Sequence, residues 1–407
     1  MSGFMTDPFA LNLRHLLLLR FIARSGSISG AAQFANLSQP AMTQAVAGVE
    51  RRLGRKLFDR HRQGMQPTTA GRTLVARIEE AHLHLERGAR ALNAARGARG
   101  FERLERLVGF GHLRALTAVV REGSFALAAR ALELSEPSIH RAARELEDIA
   151  GLPLLQRHGR TVRPTPAAER FAQHAALAIH EIQTGLLELA ALDGGADRIV
   201  VGSMPLGRAM LVPRAVARLL GERSNVVVAI VDGQYADLLS QLRVGEVDLL
   251  VGALREPPPA PDVVQEPLFE DRLVIVGRKG HPMATGRVDG ARLGAYPWVI
   301  SRRGTPLRAQ WKALFDRHEV AEPRDPIECS SVMAIRGLLL AGDWLTLLSP
   351  DQYRYEAEAG LLVAIGEALP DSQRIIGATV RRDWRPTSAQ SAFLSILREE
   401  AGLSEKQ

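Results

Sequence analysis

Cysteine, lysine and long apolar runs are all scarce in this sequence. The one cysteine, Cys329, excludes an intramolecular disulfide framework and any metal site built from several cysteines. With no second cysteine to resolve a sulfenic acid, we interpret it as a buried, inert thiol rather than a redox sensor. The longest purely aliphatic run, Leu16 to Leu19, is far too short to cross a bilayer or to form the core of a signal peptide. The sequence therefore predicts a cytoplasmic protein with no membrane partner.

Signatures of catalysis and of metal binding are also missing. The eleven histidines show no metal-ligand spacing, because His82 and His84 lie two residues apart on a predicted helix and so point in different directions. Residues 202–205 do not form a nucleophile elbow, and residues 109–111 lack the third glycine of a dinucleotide-binding loop. We therefore expect no enzyme, no metal site and no cofactor.

Arginine, by contrast, is abundant. Only four of the 52 basic residues are lysines, and the 45 acidic residues leave a net charge of +7. A positive surplus indicates a polyanionic partner, although the position of the charge along the chain says more than its total. A length of 407 residues exceeds what one hydrophobic core usually supports, so we expect two or three domains.

One stretch of the chain occurs twice. Residues 26–45 recur with substitutions as residues 123–142, and the segments 15–71 and 112–168 agree without gaps at 20 of 57 positions. Shuffled sequences of this composition would agree at only a handful of positions. The N-terminal half therefore contains a duplicated module, whose copies we call repeat 1 (residues 1–96) and repeat 2 (residues 97–195).

Each repeat predicts a helix-turn-helix followed by two short strands, which form a wing. In repeat 1 the first helix is predicted from Leu11 to Ser25, and Ser38 is the predicted N-cap of the third helix. Residues 57–58 predict a strand, residues 61–66 a turn, and the wing of repeat 2 is predicted at residues 154–165. The long helix after each wing carries apolar residues at steps of four and three, the seam of a coiled coil. The apolar stripe predicted for the third helix consists of Ala41, Ala45, Val49 and Leu53.

The predicted third helices carry the candidate DNA contacts. A helix fits the major groove, where residues in its N-terminal half face base edges while arginines and helix N-termini hold phosphates. The candidates are Ser38, Gln39, Ala41, Met42, Thr43 and Gln44 at the start of that helix in repeat 1, Arg51, Arg52, Arg60 and Arg62 with Arg55 and Lys56 beside them, and His140, Arg141 and Arg144 in repeat 2. The alternative interpretation is a solvated face on a small helical domain.

Charge separates the two repeats. Residues 11–77 contain eleven basic and two acidic side chains, a net charge of +9, whereas residues 108–174 contain nine and seven, a net charge of +2. Repeat 2 also has Glu136 where repeat 1 has Gln39, at the start of the reading helix. We expect repeat 1 to supply most of the affinity for phosphates. Repeat 2 either extends the recognised site or serves as a dimerisation and spacing element.

The chain beyond residue 196 has a different pattern of apolar residues. Short apolar runs at residues 199–202, 226–231, 247–252 and 273–277 alternate with helical patterns at residues 210–220 and 236–242. This alternation predicts a parallel or mixed sheet covered by helices. A late strand at residues 374–380 is expected to return to the first sheet.

Several short motifs occur together in this chain. Repeat 1 contains Gly26-Ser27, Ala31-Ala32, Leu37-Ser38-Gln39-Pro40-Ala41, Val49-Glu50, Leu53-Gly54, Leu57-Phe58-Asp59-Arg60 and Pro67-Thr68-Thr69-Ala70-Gly71, and the C-terminal part contains Glu266-Pro267-Leu268, His281-Pro282-Met283-Ala284 and Arg385-Pro386-Thr387. With these motifs, both repeats resemble the winged helix-turn-helix of LysR-type transcriptional regulators, and the resemblance extends from Leu11 to Arg398. One departure is large, because that family normally carries one DNA-binding unit and this chain has two.

The resemblance implies a multidomain fold. Two all-α, winged helix-turn-helix units with long linker helices (residues 1–96 and 97–195) would precede a two-lobed α/β effector domain (residues 196–400) like the periplasmic binding proteins. Lobe I would comprise residues 198–274 and 375–400, and lobe II residues 275–374. By the same resemblance, the cleft between the lobes would bind the effector through Ser203, Met204, Gln234, Tyr235, Ala253, Ser301, Arg302, Thr305 and Ser330.

The sequence thus leads to a DNA-binding transcriptional regulator controlled by a small, carboxylate-bearing catabolite. The expected partners are double-stranded promoter or operator DNA, the anionic effector, further copies of the chain in a dimer or tetramer, and RNA polymerase. The alternatives are a solute-binding, oligomerising receptor without specific DNA binding, and an enzyme built on the two-lobed fold.

Overall fold

The computed structural model describes residues 7–404 except 63, 98–103, 159–160, 205–206 and 208. The chain divides into two compact units, residues 1–198 with 243–246, and residues 199–242 with 247–407. Within the described part of the chain, no helix is both long enough and apolar enough to span a membrane.

The first unit contains the two repeats, which have the same order of elements. In repeat 1 these are α1 (Leu13–Ser25), α2 (Ile28–Ala35), α3 (Gln39–Leu53), β1 (Phe58–His61), β2 (Gly64–Pro67) and α4 (Thr69–Arg96). In repeat 2 they are α5 (Phe110–Glu122), α6 (Phe125–Leu132), α7 (Glu136–Ala150), β3 (Leu155–His158), β4 (Thr161–Pro164) and α8 (Pro166–Ala191). The predicted helices are present, and single-turn 3₁₀ helices precede them at Pro8–Ala10 and Leu104–Arg106.

Side-chain caps explain where these helices begin. The Ser38 hydroxyl accepts the Ala41 N–H at 3.3 Å at the start of α3, and Ser135 does the same for Ser138 at the start of α7. Thr68 caps α4 in the same manner, accepting the Gly71 N–H at 3.0 Å. Each cap satisfies a backbone donor that the helix itself leaves without a partner, so the two repeats begin their helices at matching positions.

The strand pair after α3 is longer than the sequence predicted. Residues 61–66 were expected to form a turn, but β1 and β2 pair antiparallel from Phe58 opposite Pro67 to His61 opposite Gly64. The buried Glu50 carboxylate of α3 accepts the Leu57 N–H at 2.8 Å and so anchors the start of this strand pair to the helix. In repeat 2, Glu147 holds the first strand in the same way.

α4 and α8 pack against each other and run antiparallel. A Cβ added at Gly88 would lie 2.8 Å from the Phe171 ring, and one added at Gly185 would lie 3.2 Å from Leu74 Cδ1. The predicted seams of both helices belong to one apolar core that includes both repeats. The two long helices therefore pair within a single chain.

A buried histidine on α4 predicts an acid-sensitive stability. Burial, with the nearby Arg20 cation, lowers the pKa of His82 to about 4 although the Glu86 carboxylate lies 3.0 Å from its Nε2. An unfolded histidine has a pKa of about 6.5. Because the folded-state pKa is depressed, this contribution to stability is complete above about pH 6.5 and is lost as the pH falls towards 4. We expect a loss of about 3 kcal/mol in the free energy of unfolding over that interval.

Urea titrations at a series of pH values measure this effect. The matched variant is His82→Ile, because Ile179 occupies the equivalent position of repeat 2. The variant should lose about 3 kcal/mol less than the wild type between pH 6.5 and 4. Equal losses in the two proteins would contradict the assignment to His82.

In its described residues, the second unit is built from two larger sheets and one short strand pair, with helices around them. Its helices are α9 (Leu211–Glu222), α10 (Tyr235–Val244), α11 (Gly290–Ala295), α12 (Pro306–Arg317), α13 (Val332–Ala341), α14 (Pro350–Glu358) and α15 (Ser388–Ser404), with a 3₁₀ turn at Pro282–Ala284. Its strands are β5 (Asp197–Ser203), β6 (Val226–Asp232), β7 (Leu249–Ala253), β8 (Val263–Asp271), β9 (Val274–Arg278), β10 (Val299–Ile300), β11 (Ile327–Glu328), β12 (Thr346–Leu348), β13 (Leu362–Ile365) and β14 (Arg374–Arg381).

The larger sheet has the order β6-β5-β7-β14-β8. β5 and β7 are parallel, whereas β14 is antiparallel to both β7 and β8, so the sheet is mixed and the late strand returns to it as the sequence predicted. The second sheet, β12-β9-β13, is antiparallel, and the short β10 and β11 pair in parallel. Separate apolar clusters pack against the two sheets.

Candidate DNA-binding and effector sites

The exposed face of α3 is polar and basic. Gln39, Thr43, Gln44, Arg51 and Arg52 are all exposed, and the single carboxylate of this fully described helix, Glu50, is buried against the hairpin. The Thr43 hydroxyl donates to the Gln39 carbonyl at 3.0 Å, and Arg52 donates to the Ala10 carbonyl. The face thus presents amides, a hydroxyl and guanidinium groups without a competing negative charge.

Met42 was expected to contact DNA, and this prediction is wrong. Its side chain is fully buried in the apolar core of repeat 1. The buried stripe of α3 runs through Met42, Ala45, Val46 and Val49, while Ala41 is only half-buried. The predicted apolar stripe began one residue too early, at Ala41, and Met42 was therefore predicted to lie on the exposed face. Ser38 is exposed, but its hydroxyl is the N-cap of the helix.

The wing of repeat 1 adds two exposed arginines. Arg60 lies on β1 and Arg62 lies in the turn that follows, and both are exposed. Arg55, proposed beside them, instead donates to the Leu189 carbonyl at 3.0 Å and pairs with Asp193. Its guanidinium connects repeat 1 to the end of α8, so the expectation that Arg55 suits a phosphate is wrong for this conformation.

The matching face of α7 has a mixed charge. Arg141 and Arg144 are exposed, but so are Glu136, Glu145 and Asp148 on the same helix. The carboxylates reduce the attraction that the arginines offer to phosphates. The difference in charge between the repeats is therefore present on the exposed surfaces of the two helices.

His140 is engaged inside repeat 2. Its ring stacks on Phe125 with 3.7 Å between centroids, and its Nε2 lies 3.6 Å from a Glu136 carboxylate oxygen. The side chain is half-buried. The prediction of His140 as a base contact is therefore wrong for this conformation, because both ring face and ring nitrogen already have protein neighbours.

The expected effector residues of the first sheet have different exposures. Ser203 is fully buried at the end of β5, where Val201 and Gly202 are buried as well, and this contradicts its expected place on the cleft wall. Met204 and Ala253 are half-buried, and Gln234 is exposed.

Tyr235 stands out because a cation lies over its ring. The Arg255 guanidinium carbon is 4.6 Å from the Tyr235 ring centroid, and burial raises the pKa of the phenol. Sequence reasoning missed Arg255, which follows β7 by two residues. Only the position of the residue just after a strand end could have indicated it.

The expected effector residues near the second sheet gather at the start of α12. The Ser301 and Thr305 hydroxyl oxygens are 2.6 Å apart, and Thr305 Oγ1 accepts the Arg308 N–H at 3.3 Å as the N-cap. Arg302 is exposed, and its carbonyl accepts a hydrogen bond from Thr305 at 2.9 Å. Ser330 is exposed after β11.

Two further expectations concern cysteine and metal. Cys329 is half-buried rather than buried, with its Sγ 3.7 Å from the Ser331 carbonyl oxygen. Among the described residues, no group of three or more histidine, cysteine, aspartate or glutamate side chains could hold a metal ion.

A basic helix-turn-helix joined to a separate domain of sheets and helices defines a DNA-binding regulator with an attached ligand-binding domain. The family comparison agrees. The profile described as "Bacterial regulatory helix-turn-helix protein, lysR family" matches residues 13–72 and again residues 110–169, and the "LysR substrate binding domain" matches residues 192–402. The chain belongs to the LysR family of transcriptional regulators, which bind DNA and small-molecule effectors, form oligomers and are not enzymes.

Three similar proteins illustrate the extent of the match. The HTH-type transcriptional regulator GalR of Pseudomonas putida is 30% identical over 400 residues, covering 97% of this chain and 98% of its own length. The HTH-type transcriptional regulator PcaQ of Agrobacterium fabrum is 30% identical over 303 residues, 74% of this chain and 97% of its own. The structure of full-length CbnR complexed with its target DNA has 17% identity and a TM-score of 0.50, and the match covers 72% of this chain and all of that one.

Proposed function

We propose that this regulator has two winged helix-turn-helix units in tandem and that a carboxylate-bearing catabolite controls them. The observation that carries the proposal is the exposed face of α3, which combines amides and arginines with no exposed carboxylate. Such a face suits base edges and phosphates together. We assign the first DNA-binding unit to repeat 1 (residues 1–96), the second DNA-binding unit to repeat 2 (residues 97–195) and the effector domain to residues 196–400.

The lengths of the relatives support the tandem arrangement. PcaQ aligns over nearly all of its own length yet reaches only 74% of this chain, whereas GalR aligns over nearly the whole of both. The family profile for the helix-turn-helix also matches twice, at a spacing of 97 residues. Both findings are expected if the additional length of this chain is one more DNA-binding unit.

The two units contribute unequally. Repeat 1 presents Gln39, Thr43 and Gln44 to bases, and its arginines hold the backbone on either side. In repeat 2, Arg141 and Arg144 lie among exposed carboxylates. Repeat 1 therefore provides most of the affinity, and repeat 2 either lengthens the recognised site or sets the spacing of the complex.

The effector site lies between two lobes of a domain like the periplasmic binding proteins. On one side, the N-terminus of α12 directs backbone N–H groups towards an anion, with Arg302 beside it and the hydroxyls of Ser301 and Thr305 within reach. On the other side, Gln234 and the pair of Tyr235 and Arg255 add polar contacts. These groups favour a small ligand with a carboxylate and an apolar or aromatic body.

Control works by a shift in population. The effector binds more tightly to the closed lobes than to the open ones, and closure changes how effector domains pack in a dimer or tetramer. The altered packing changes the spacing or bending of the bound DNA, and with it the access of RNA polymerase in the cytoplasm.

Footprinting of the full-length chain on DNA upstream of its own gene tests the regulatory proposal. We expect protection of one defined segment that persists when a hundredfold mass excess of unrelated DNA is added. Protection that spreads evenly and disappears under competition would favour the alternative, a receptor whose N-terminal units only oligomerise.

A thermal-shift screen of carboxylated catabolites tests the effector site. A ligand at about one hundred times its Kd should stabilise the protein by about 2.7 kcal/mol, and the Arg302→Ala variant should lose at least half of the shift in Tm. Arg303→Ala is the matched control, since Arg303 is the exposed neighbour outside the proposed contact. A ligand that stabilises wild type and Arg302→Ala equally would remove Arg302 from the site.

A further inference from the structure

The contact between α4 and α8 has an approximate two-fold symmetry. Phe171 is the counterpart of Leu74 and Gly185 that of Gly88 at the repeat spacing of 97 residues. Phe171 packs at Gly88 and Leu74 packs at Gly185, so exchange of the repeats maps one contact onto the other. The helices therefore meet as two copies of one element would meet across a two-fold axis.

The ends of the two helices follow the same symmetry. Arg55, just after α3, contacts Leu189 and Asp193 at the end of α8. In the reciprocal place, a Cβ added at Gly151, just after α7, would lie 2.9 Å from the Arg96 guanidinium at the end of α4. Each reading helix thus ends against the far end of the other repeat's long helix.

One buried cluster breaks this symmetry. Arg77 on α4 donates from Nη1 to Glu181 at 2.9 Å and from Nε and Nη2 to Glu188 at 2.8 Å each, both acceptors lying on α8. Arg77 is 1% exposed and Glu181 is 3% exposed. The counterpart of Arg77 is His174, and His174 faces His84, the counterpart of Glu181, with 5.8 Å between ring centroids.

The cluster distinguishes one pairing of helices from another. If α4 met α4 of a second copy with the same geometry, His84 and Ala91 would occupy the places of Glu181 and Glu188. Two buried Arg77 side chains would then each face a histidine instead of two carboxylates. A buried charge that loses its partner is strongly unfavourable. Pairing of α8 with α8 of a second chain has the same cost, because the two α4 helices must then either pair with each other or have no partner helix.

We propose that Arg77, Glu181 and Glu188 select the partner of α4, so that the two DNA-reading helices of one chain form a single, asymmetric pair. The partner that fits the polar face of α4 is α8 of the same chain and not α4 of a second copy. Each chain therefore offers DNA two unlike reading helices. This last consequence depends on the function proposed above, whereas the pairing itself does not.

Two cysteine reporters in a Cys329→Ser background test the pairing without DNA. Arg55→Cys with Asp193→Cys places two thiols at the contact between repeat 1 and α8, where a short bismaleimide should join them within one chain. Arg55→Cys with Arg96→Cys places them at opposite ends of α4, about 40 Å apart in one chain, because a helix rises 1.5 Å per residue. In an α4–α4 pair, the symmetry would instead bring position 55 of one copy close to position 96 of the other.

We expect the 55/193 reporter to give an internally linked single chain at every protein concentration and the 55/96 reporter to give no covalent dimer. A dimer from 55/96, or only interchain links from 55/193, would overturn the proposal. Either of these two results would contradict the proposed pairing without affecting specific DNA binding. A wrong pairing can therefore be distinguished from a wrong proposed function, which would abolish specific DNA binding.

The role of the cluster is tested by making the two helices alike. Arg77→His, Glu181→His and Glu188→Ala give each position the residue of its counterpart in the other repeat. After unfolding and refolding at high protein concentration, we expect the 55/96 reporter in this background to give a covalent dimer that the original chain does not give. The 55/193 reporter in this background verifies that the helices still pair, and a 55/96 yield that stays at the level of the original chain would show that the cluster selects nothing.

Discussion

Replacing Arg77 with leucine should lower the free energy of unfolding of the repeat unit by about 3–5 kcal/mol. The guanidinium donates hydrogen bonds of 2.8–2.9 Å to two carboxylates across the contact between α4 and α8. Leucine removes all of them and leaves the buried Glu181 without the cation that offsets its loss of water. The cost of that uncompensated charge exceeds the gain from burying a leucine.

Urea unfolding followed by circular dichroism measures this loss. The exposed Arg90→Leu on the same helix is the control, and it should change the free energy by less than about 0.5 kcal/mol. A triple variant with leucine at positions 77, 181 and 188 should recover most of the stability, because well-packed apolar residues can replace a buried ion cluster. A loss below about 1 kcal/mol for Arg77→Leu would show that the cluster is not energetically important.

Removing the exposed arginines of repeat 1 should weaken DNA binding about a hundredfold or more at 0.1 M salt. The variant carries alanine in place of Arg51, Arg52, Arg60 and Arg62, all of which are exposed around α3 and its wing. Each neutralised phosphate releases about one counterion, so the slope of log affinity against log salt should also become shallower by about 0.9 for every phosphate that the variant no longer neutralises. Fluorescence anisotropy on a fixed operator fragment at several salt concentrations gives both quantities.

The matched variant in repeat 2 is Arg141→Ala with Arg144→Ala. Because Glu145 and Asp148 lie exposed on the same helix, we expect a loss of no more than about tenfold. A loss in repeat 2 as large as that in repeat 1 would contradict the unequal division between the units. If the repeat 2 variant keeps both affinity and footprint length, repeat 2 does not extend the recognised site, and its role is one of pairing and spacing.

Local signals in the sequence were sufficient for the architecture of the repeats. Serine and threonine caps fix where helices begin, and the seam of α4 and α8 is an apolar pattern within each helix. The return of the late strand, β14, to the first sheet was also expected from the sequence, and the structure confirms it. In these cases the deciding residues lie close together in the chain or belong to a motif of the family.

The predictions were wrong where the placement of a side chain depends on residues that are far away in the sequence. Met42 was misplaced because one residue of helical phase separates the exposed from the buried face, and packing against α1 fixes that phase. Arg55 finds Asp193 across 138 residues of sequence, and no pattern around Arg55 indicates that partner. By the family resemblance Ser203 was expected on a cleft wall, but it is fully buried at the end of β5.

The sequence did not predict which helix each long helix pairs with, and this was the most important feature that it left undetermined. The apolar seams indicate that both helices pair, but apolar side chains do not distinguish one seam from another. The information lies in three polar residues, Arg77, Glu181 and Glu188, whose meaning appears only when the helices are placed side by side. A charged residue within an apolar seam is the signal that could have indicated a specific partner.

The placement of α3 and α7 in one polypeptide affects how this regulator can evolve. Where two identical chains supply the two reading helices, every substitution appears in both halves of the complex, and the operator must change at both half-sites together. Here a substitution in α3 leaves α7 untouched, because the two helices have separate codons. If both helices read DNA as proposed above, one half of the operator can therefore drift, or acquire a new sequence, while the other half continues to hold the protein on the promoter.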